Sequence, residues 1–218
     1  MKRILVVIFL LTLCSVTVFA ADPTGHSSQV VMTNASSATH PMPNPPAGLK
    51  KIFSNLGPKG DEYNASGGPV VEGPDNGLGP ENDVAVAFTP KKNSTVTEVL
   101  MALQWLSGFN GALAAIYDDA AGSPGKALVG KDLKNFVFSG DGCCKLAKWK
   151  LAKGLKVKKG KQYWVVATTD AKSRTSMVVW CSVWNNAAGI FAEQQDDGGW
   201  MVFDQPAPSA TAVLGTIP

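Results

Sequence analysis

Residues able to do acid–base or metal chemistry are sparse in this chain. His26 and His40 are the only two histidines. Both stand in "ADPTGHSSQVVMTNASSATHPMPNPPAGL", a Ser, Thr, Asn and Pro-rich stretch that lacks sustained periodicity and reads as a flexible leader. A Ser-His-Asp or Cys-His arrangement needs its base held rigidly against the nucleophile. Nothing in such a leader would hold it, and histidine-ligated metal sites are excluded from the remaining chain on the same ground. Carboxylates are left. Asp118 and Asp119 precede "AAGSPG", where they would either begin a turn or ligate calcium together with carbonyl oxygens. Asp196 and Asp197 before Gly198 and Gly199 carry the same two readings. A glycoside hydrolase would need two carboxyl groups facing across a cleft. Glu193 with Asp170 or Asp197 would be the pair, but spacing gives that pairing no support, so the expectation is a protein without catalytic residues.

Tryptophan offers a different chemistry. In "SMVVWCSVW", Val179, Cys181 and Val183 share one parity while Val178, Trp180, Ser182 and Trp184 share the other. At the rise of a strand, Trp180 and Trp184 would stand on one face about 13 Å apart. Two rings so placed could stack on a polysaccharide, with Asn185 and Asn186 as polar neighbours. The plainer alternative is a strand buried on both faces, since tryptophan is highly buried on average.

The elements that must position these groups are strands. From Lys51 onward, "KIFSNLG", a possible strand at Val70 and Val71, "VAVAFTP", "TVTEVLMALQWL", "ALAAIYDD", "KALVGKDL", "NFVF", "QYWVVATTD", "SMVVWCSVW", "IFAEQ" and "GWMVF" follow one another at short intervals with glycine and proline turns between them. Such spacing predicts an all-β domain, an antiparallel, jelly-roll-like β-sandwich. "TVTEVLMALQWL" puts Val99, Met101, Leu103 and Trp105 on one parity; a helix is the alternative, but its β-branched start favours a strand.

"KLAKWKLAKGLKVKKGK", Lys145 to Lys161, resembles a cationic membrane-active helix at first sight. Gly154 breaks the apolar stripe a helix would need. Read with period two, Ala147, Trp149 and Leu151 alternate with Lys148 and Lys150, and Leu155 and Val157 with Lys156 and Lys158. This predicts two strands joined by a turn at Ala152 to Gly154, with lysines on the wet face discouraging edge pairing.

The N-terminal sequence "MKRILVVIFLLTLCSVTVFAADP" has a basic start, a short apolar run and small residues before Ala20, which predicts a signal peptide (1–20) cleaved after Ala20. Lipoprotein processing at Cys14 is disfavoured by the bulky Leu13 before it. A leader (21–50), a sandwich domain (51–205) and a short tail (206–218) complete the expected organisation. Of 20 lysines and arginines, Lys2 and Arg3 leave with the signal, so 18 bases face 17 acids and the mature charge is about +1. That near-neutrality argues against a general nucleic-acid or anionic-membrane binder, and no second apolar run is long enough to span a bilayer. Cys143, Cys144 and Cys181 would remain, an odd number in an oxidising compartment. The expectation is a bridge from Cys181 to either Cys143 or Cys144.

The ordered set "FSNLGP", "DEYNASGG", "AFTP", "TVTEV", "YDDAAGSPGKAL", "CC" and "GKQYWVV" resembles the choice-of-anchor R family of exported bacterial domains over about Lys51 to Phe203. The resemblance implies an exported sandwich-like domain and carries over no catalytic residues. The end "QPAPSATAVLGTIP" departs from the anchoring segment such families carry, so release into the periplasm or medium is expected. The function expected is a secreted, non-catalytic module binding an extracellular polysaccharide through aromatic side chains, with no cofactor beyond a calcium ion at Asp118 and Asp119. The alternatives are a structural envelope or matrix domain without a small ligand and, below it, a carboxylate-dependent glycosidase.

Overall fold

The computed structural model describes residues 30–32, 47–56, 67–138, 145–182, 188–196, 198–206 and 208–218. All regular elements among them are strands: β1 (Val30–Met32), β2 (Lys50–Ser54), β3 (Gly67–Glu72), β4 (Asn82–Phe88), β5 (Ser94–Ser107), β6 (Gly111–Ala120), β7 (Ser123–Lys134), β8 (Val137–Phe138), β9 (Lys145–Val157), β10 (Tyr163–Thr168), β11 (Met177–Trp180), β12 (Ala188–Gln195), β13 (Met201–Pro206) and β14 (Thr211–Thr216). They form one curled sheet with the central order β2-β14-β5-β11-β3-β4-β10-β6-β7. Every pairing is antiparallel except that of β5 with β8. The halves join through one cross-strand pair, Glu72 with Asn82. They then pack face to face, as the all-β sandwich expectation requires.

The core between the halves takes alternate residues from both. Val99, Met101, Leu103, Trp149, Val178, Trp180 and Val213 from one half meet Val84, Val86, Phe88, Ile116, Val165 and Ala167 from the other. Phe53 on β2 and Phe88 on β4 bring their rings to 6.0 Å across the gap. The outward faces are buried too. Val70, Leu100, Ala102, Val179, Ala212 and Leu214 cluster behind the first half, and Ala85, Ala115, Trp164, Val166 and Ala192 behind the second. The central strands therefore carry nearly continuous apolar runs rather than a simple alternation.

Three sequence expectations change here. The leader contains β1, which pairs with β3. The expected tail contains β14, whose Ala212, Val213 and Leu214 are fully buried between β2 and β5. A run of small apolar residues can fill a central strand as well as a larger one does when both of its faces are covered. The lysine stretch, finally, is one strand with no turn at Ala152 to Gly154. Leu155 pairs with Val96 and Lys150 with Glu98, so the residues between stand opposite Thr97 alone. The same Thr97 is passed over on the other side, where Leu214 pairs with Glu98 and Gly215 with Val96. This irregularity lets Val96 and Val99 both face the core although they are three apart. Glycine is required at Gly215, because a Cβ there would lie 1.9 Å from the Thr95 carbonyl oxygen.

Candidate functional site

Trp180, half of the proposed sugar-stacking pair, is not at the surface. Its side chain is fully buried in the core and its Nε1–H donates to the carbonyl of Ala210 at 3.0 Å. The strand around it is covered on both faces, with Val178 and Trp180 in the inner cluster and Val179 and Cys181 in the outer one. Trp184, Asn185 and Asn186 lie outside the described residues, as do Cys143, Cys144 and Asp197. Cys181 is buried, and the expected bridge involves residues that are not described.

Asp118 and Asp119 hold the β6–β7 hairpin. The connection is Ala121 and Gly122, both at positive φ (55° and 89°), which is the two-residue turn whose twist matches antiparallel strands. Asp119 Oδ2 accepts the Gly122 N–H at 3.1 Å, while its Oδ1 accepts from Gln162 Nε2 at 2.8 Å and Trp164 Nε1 at 3.0 Å. Burial alone would raise the Asp119 carboxyl, but these hydrogen bonds and the nearby Lys161 hold it below the usual range. Asp118 Oδ1 accepts the Lys126 N–H. Turn and hairpin contacts therefore occupy these carboxylates, and no group of three metal-ligating acidic, Cys or His side chains occurs among the described residues.

A site does form where the chain crosses from one half of the sandwich to the other. β7 ends at Lys134, Asn135 turns at φ 62°, and Phe136 leads into β8. Asn110 fixes this crossing by acting as a surrogate strand. Its Oδ1 accepts the Phe136 N–H at 2.7 Å, its Nδ2 donates to the Phe136 carbonyl at 2.9 Å, and its own carbonyl accepts the Asn135 N–H at 3.2 Å. Between this crossing and the start of β9 lies a cleft of about 220 Å³. Leu103, Leu133 and Leu146 give it an apolar floor, half-buried Phe136 a wall, and Lys134 and Lys148 a cationic rim. Lys134 Nζ sits 5.4 Å over the Phe109 ring, and Lys148 Nζ is 3.8 Å from the buried Glu98 carboxylate. Among the described residues, those lining the cleft include no acid, His, Ser or Cys.

From this cleft β9 and the residue that follows it carry a series of exposed lysines. Trp149, Leu151 and Val157 point into the core, and Lys148, Lys150, Lys153, Lys156 and Lys158 are exposed. The series ends at a second, wider cleft of about 400 Å³ lined by Asn93, Thr95, Lys156, Val157 and Lys158. The alternation in the lysine stretch was visible in the sequence, but only as a wet face. Its pairing with Phe136 and Lys134 depends on a crossing held by Asn110, which has no local sequence signature.

No protein-family model and no curated protein matches this chain.

Proposed function

We infer that this is an exported, non-catalytic β-sandwich module that binds an acidic extracellular polysaccharide along β9. The observation that carries the reading is the series of exposed lysines joining two clefts, one of them floored by leucines and walled by Phe136. A uronic acid ring has an apolar C–H face and a carboxylate on its edge, which suits an aromatic wall beside ammonium groups. Lys148 and Lys150, like Lys156 and Lys158, are two residues and hence about 6.6 Å apart along the backbone, a spacing that suits a polymer carrying a charge on each sugar. The secretory N-terminal sequence supports an extracellular partner. The aromatic role expected of Trp180 passes to Phe136.

Lys148 is a poor choice for testing this, because its removal would strand the buried carboxylate of Glu98. Lys134→Ala, Lys150→Ala and Lys156→Ala combined leave that pair intact. Each exposed charge is worth about 0.5 kcal/mol, so the triple variant should bind polygalacturonate roughly tenfold more weakly, with an unchanged melting temperature. Binding of the parent protein should also fall steeply with salt. Equal binding to neutral glucans, or to a DNA oligonucleotide of matched charge, would defeat the reading. A parent protein that ignores all of these polymers would be a structural envelope domain instead.

A further inference from the structure

A near-neutral net charge conceals an uneven distribution. β4 ends at Phe88, which pairs with Tyr163 at the start of β10, and β5 begins at Ser94 opposite Val157, the last residue of β9. The β4–β5 and β9–β10 connections therefore lie side by side at one end of the sandwich. Backbone groups fix them together. The Gly160 N–H donates to the Pro90 carbonyl at 2.9 Å, and the Lys159 N–H to Asn93 Oδ1 at 2.9 Å. Gly160 sits at φ 71°, a conformation that favours glycine, and the Tyr163 hydroxyl accepts the Lys158 N–H at 3.1 Å. This arrangement gathers Lys91, Lys92, Lys158, Lys159 and Lys161, with Lys156 at the end of β9. All six are exposed, and no ion pair among the described residues includes any of them. Bases at the opposite end are matched: Arg174 donates to both oxygens of Asp75 at 2.5 and 2.9 Å, and Lys172 to Asp132 at 3.1 Å. Asp118 and Asp119, on β6 at the lysine end, accept hydrogen bonds from the Lys126 and Gly122 N–H groups and from Gln162 and Trp164.

Ammonium groups spread over two adjoining connections make a patch rather than a line, and a patch suits a flat array of negative charges. We propose that this end of the sandwich docks on an anionic phospholipid surface, with the strands pointing away from the bilayer. The cleft of about 400 Å³ beside the loops, with Asn93, Thr95, Lys156 and Lys158 on its lining, offers amide, hydroxyl and ammonium donors to a headgroup phosphate. A secretory N-terminal sequence takes the chain through a membrane, which puts such a surface within reach. Near-zero net charge does not oppose the contact, because acids at the far end lie beyond a Debye length of about 8 Å and are screened from the bilayer. Among the described residues the exposed large apolar side chains are Leu78, Leu128 and Val202, and none stands on these loops, so attachment is electrostatic and peripheral. Each lysine close to an anionic bilayer is worth roughly fivefold in affinity. The surface is separate from the polysaccharide series and meets it only at Lys156 and Lys158.

The experiment is co-sedimentation of the mature protein, from Ala21 onward, with vesicles of one-third phosphatidylglycerol and two-thirds phosphatidylcholine, beside vesicles of phosphatidylcholine alone. The protein should sediment with the anionic vesicles only, release no trapped dye from them, and dissociate as salt rises from about 0.1 M to about 1 M and the Debye length shrinks from about 10 to about 3 Å. Lys91→Ala, Lys92→Ala and Lys159→Ala combined should weaken vesicle binding about 100-fold and leave polygalacturonate binding and the melting temperature unchanged. The salt dependence of the parent keeps the test decisive if the triple variant folds poorly. A parent that ignores the anionic vesicles, binds neutral ones equally well, or loses nothing on the triple substitution overturns the proposal. So does a triple variant that loses vesicles and polygalacturonate together, which would assign the loops to the polymer. Vesicle binding by a parent that ignores polygalacturonate upholds the proposal and defeats only the polysaccharide reading.

Discussion

Trp180→Ala should lower the stability of the folded domain by about 4 kcal/mol, the cost of emptying a fully buried tryptophan site. In a domain of this size that is a fall of roughly 8–16 °C in melting temperature. The loss has two sources. The indole fills space between the halves of the sandwich beside Val178 and Val213, and its N–H satisfies the Ala210 carbonyl at 3.0 Å. That carbonyl also accepts the Ala102 N–H at 3.2 Å, at a junction where Cys181 N–H donates to Ala102 and Ala210 N–H to Cys181. Removing the ring therefore opens a void at the point where β5, β11 and β14 meet. Trp180→Phe keeps most of the volume and should cost less than half as much. Urea unfolding of both variants checks the order. A Trp180→Ala protein as stable as its parent but unable to bind polysaccharide would restore the exposed-platform reading and sink the core assignment.

The contrast between Trp180 and the lysines shows what alternation can convey. Along β9 one face is charged, so period two identifies both the strand and its wet side. Along β11 both faces are apolar, and "MVVW" has no polar parity to separate a platform from a core. The same ambiguity conceals β14, which lies in the expected tail with both of its faces apolar. Gly154 misled for a different reason. A glycine among alternating residues predicts a turn, but here it permits close approach within an irregular strand, since a Cβ would lie 2.5 Å from Thr95 Cγ2. Contacts such as Asn110 with Phe136 and Glu72 with Asn82 were not legible at all. Both are set by which strands become neighbours after the sheet curls.

The pH dependence of stability depends on a group that sequence reading passed over. Asp83 lies on the outer face of β4, opposite Gln194 on β12. Its Oδ1 is enclosed without a partner. Burial is the main cause that pushes its pKa up to about 7, and the charge of Glu81 adds to it, against hydrogen bonds to the Thr168 side chain and the Thr169 backbone. Tyr117 on the neighbouring part of that face feels the Asp83 charge in turn, and with its own burial its pKa is raised. An aspartate whose folded value lies above its unfolded one binds a proton more tightly when folded. Between about pH 4 and pH 7 the folded protein holds a proton that the unfolded chain has released, so the contribution of Asp83 falls as pH rises and is fully unfavourable above about 7. Asp83→Asn removes that penalty. The full shift would correspond to about 4 kcal/mol; partial exposure of the residue reduces the expectation to about 2 kcal/mol. The variant should thus be more stable than its parent by about that amount at pH 8 and nearly equal to it at pH 4. Urea midpoints across this range give the result directly. A variant less stable at pH 8 would mean that the Asp83 carboxylate is satisfied when ionised, and that its enclosed oxygen has a partner.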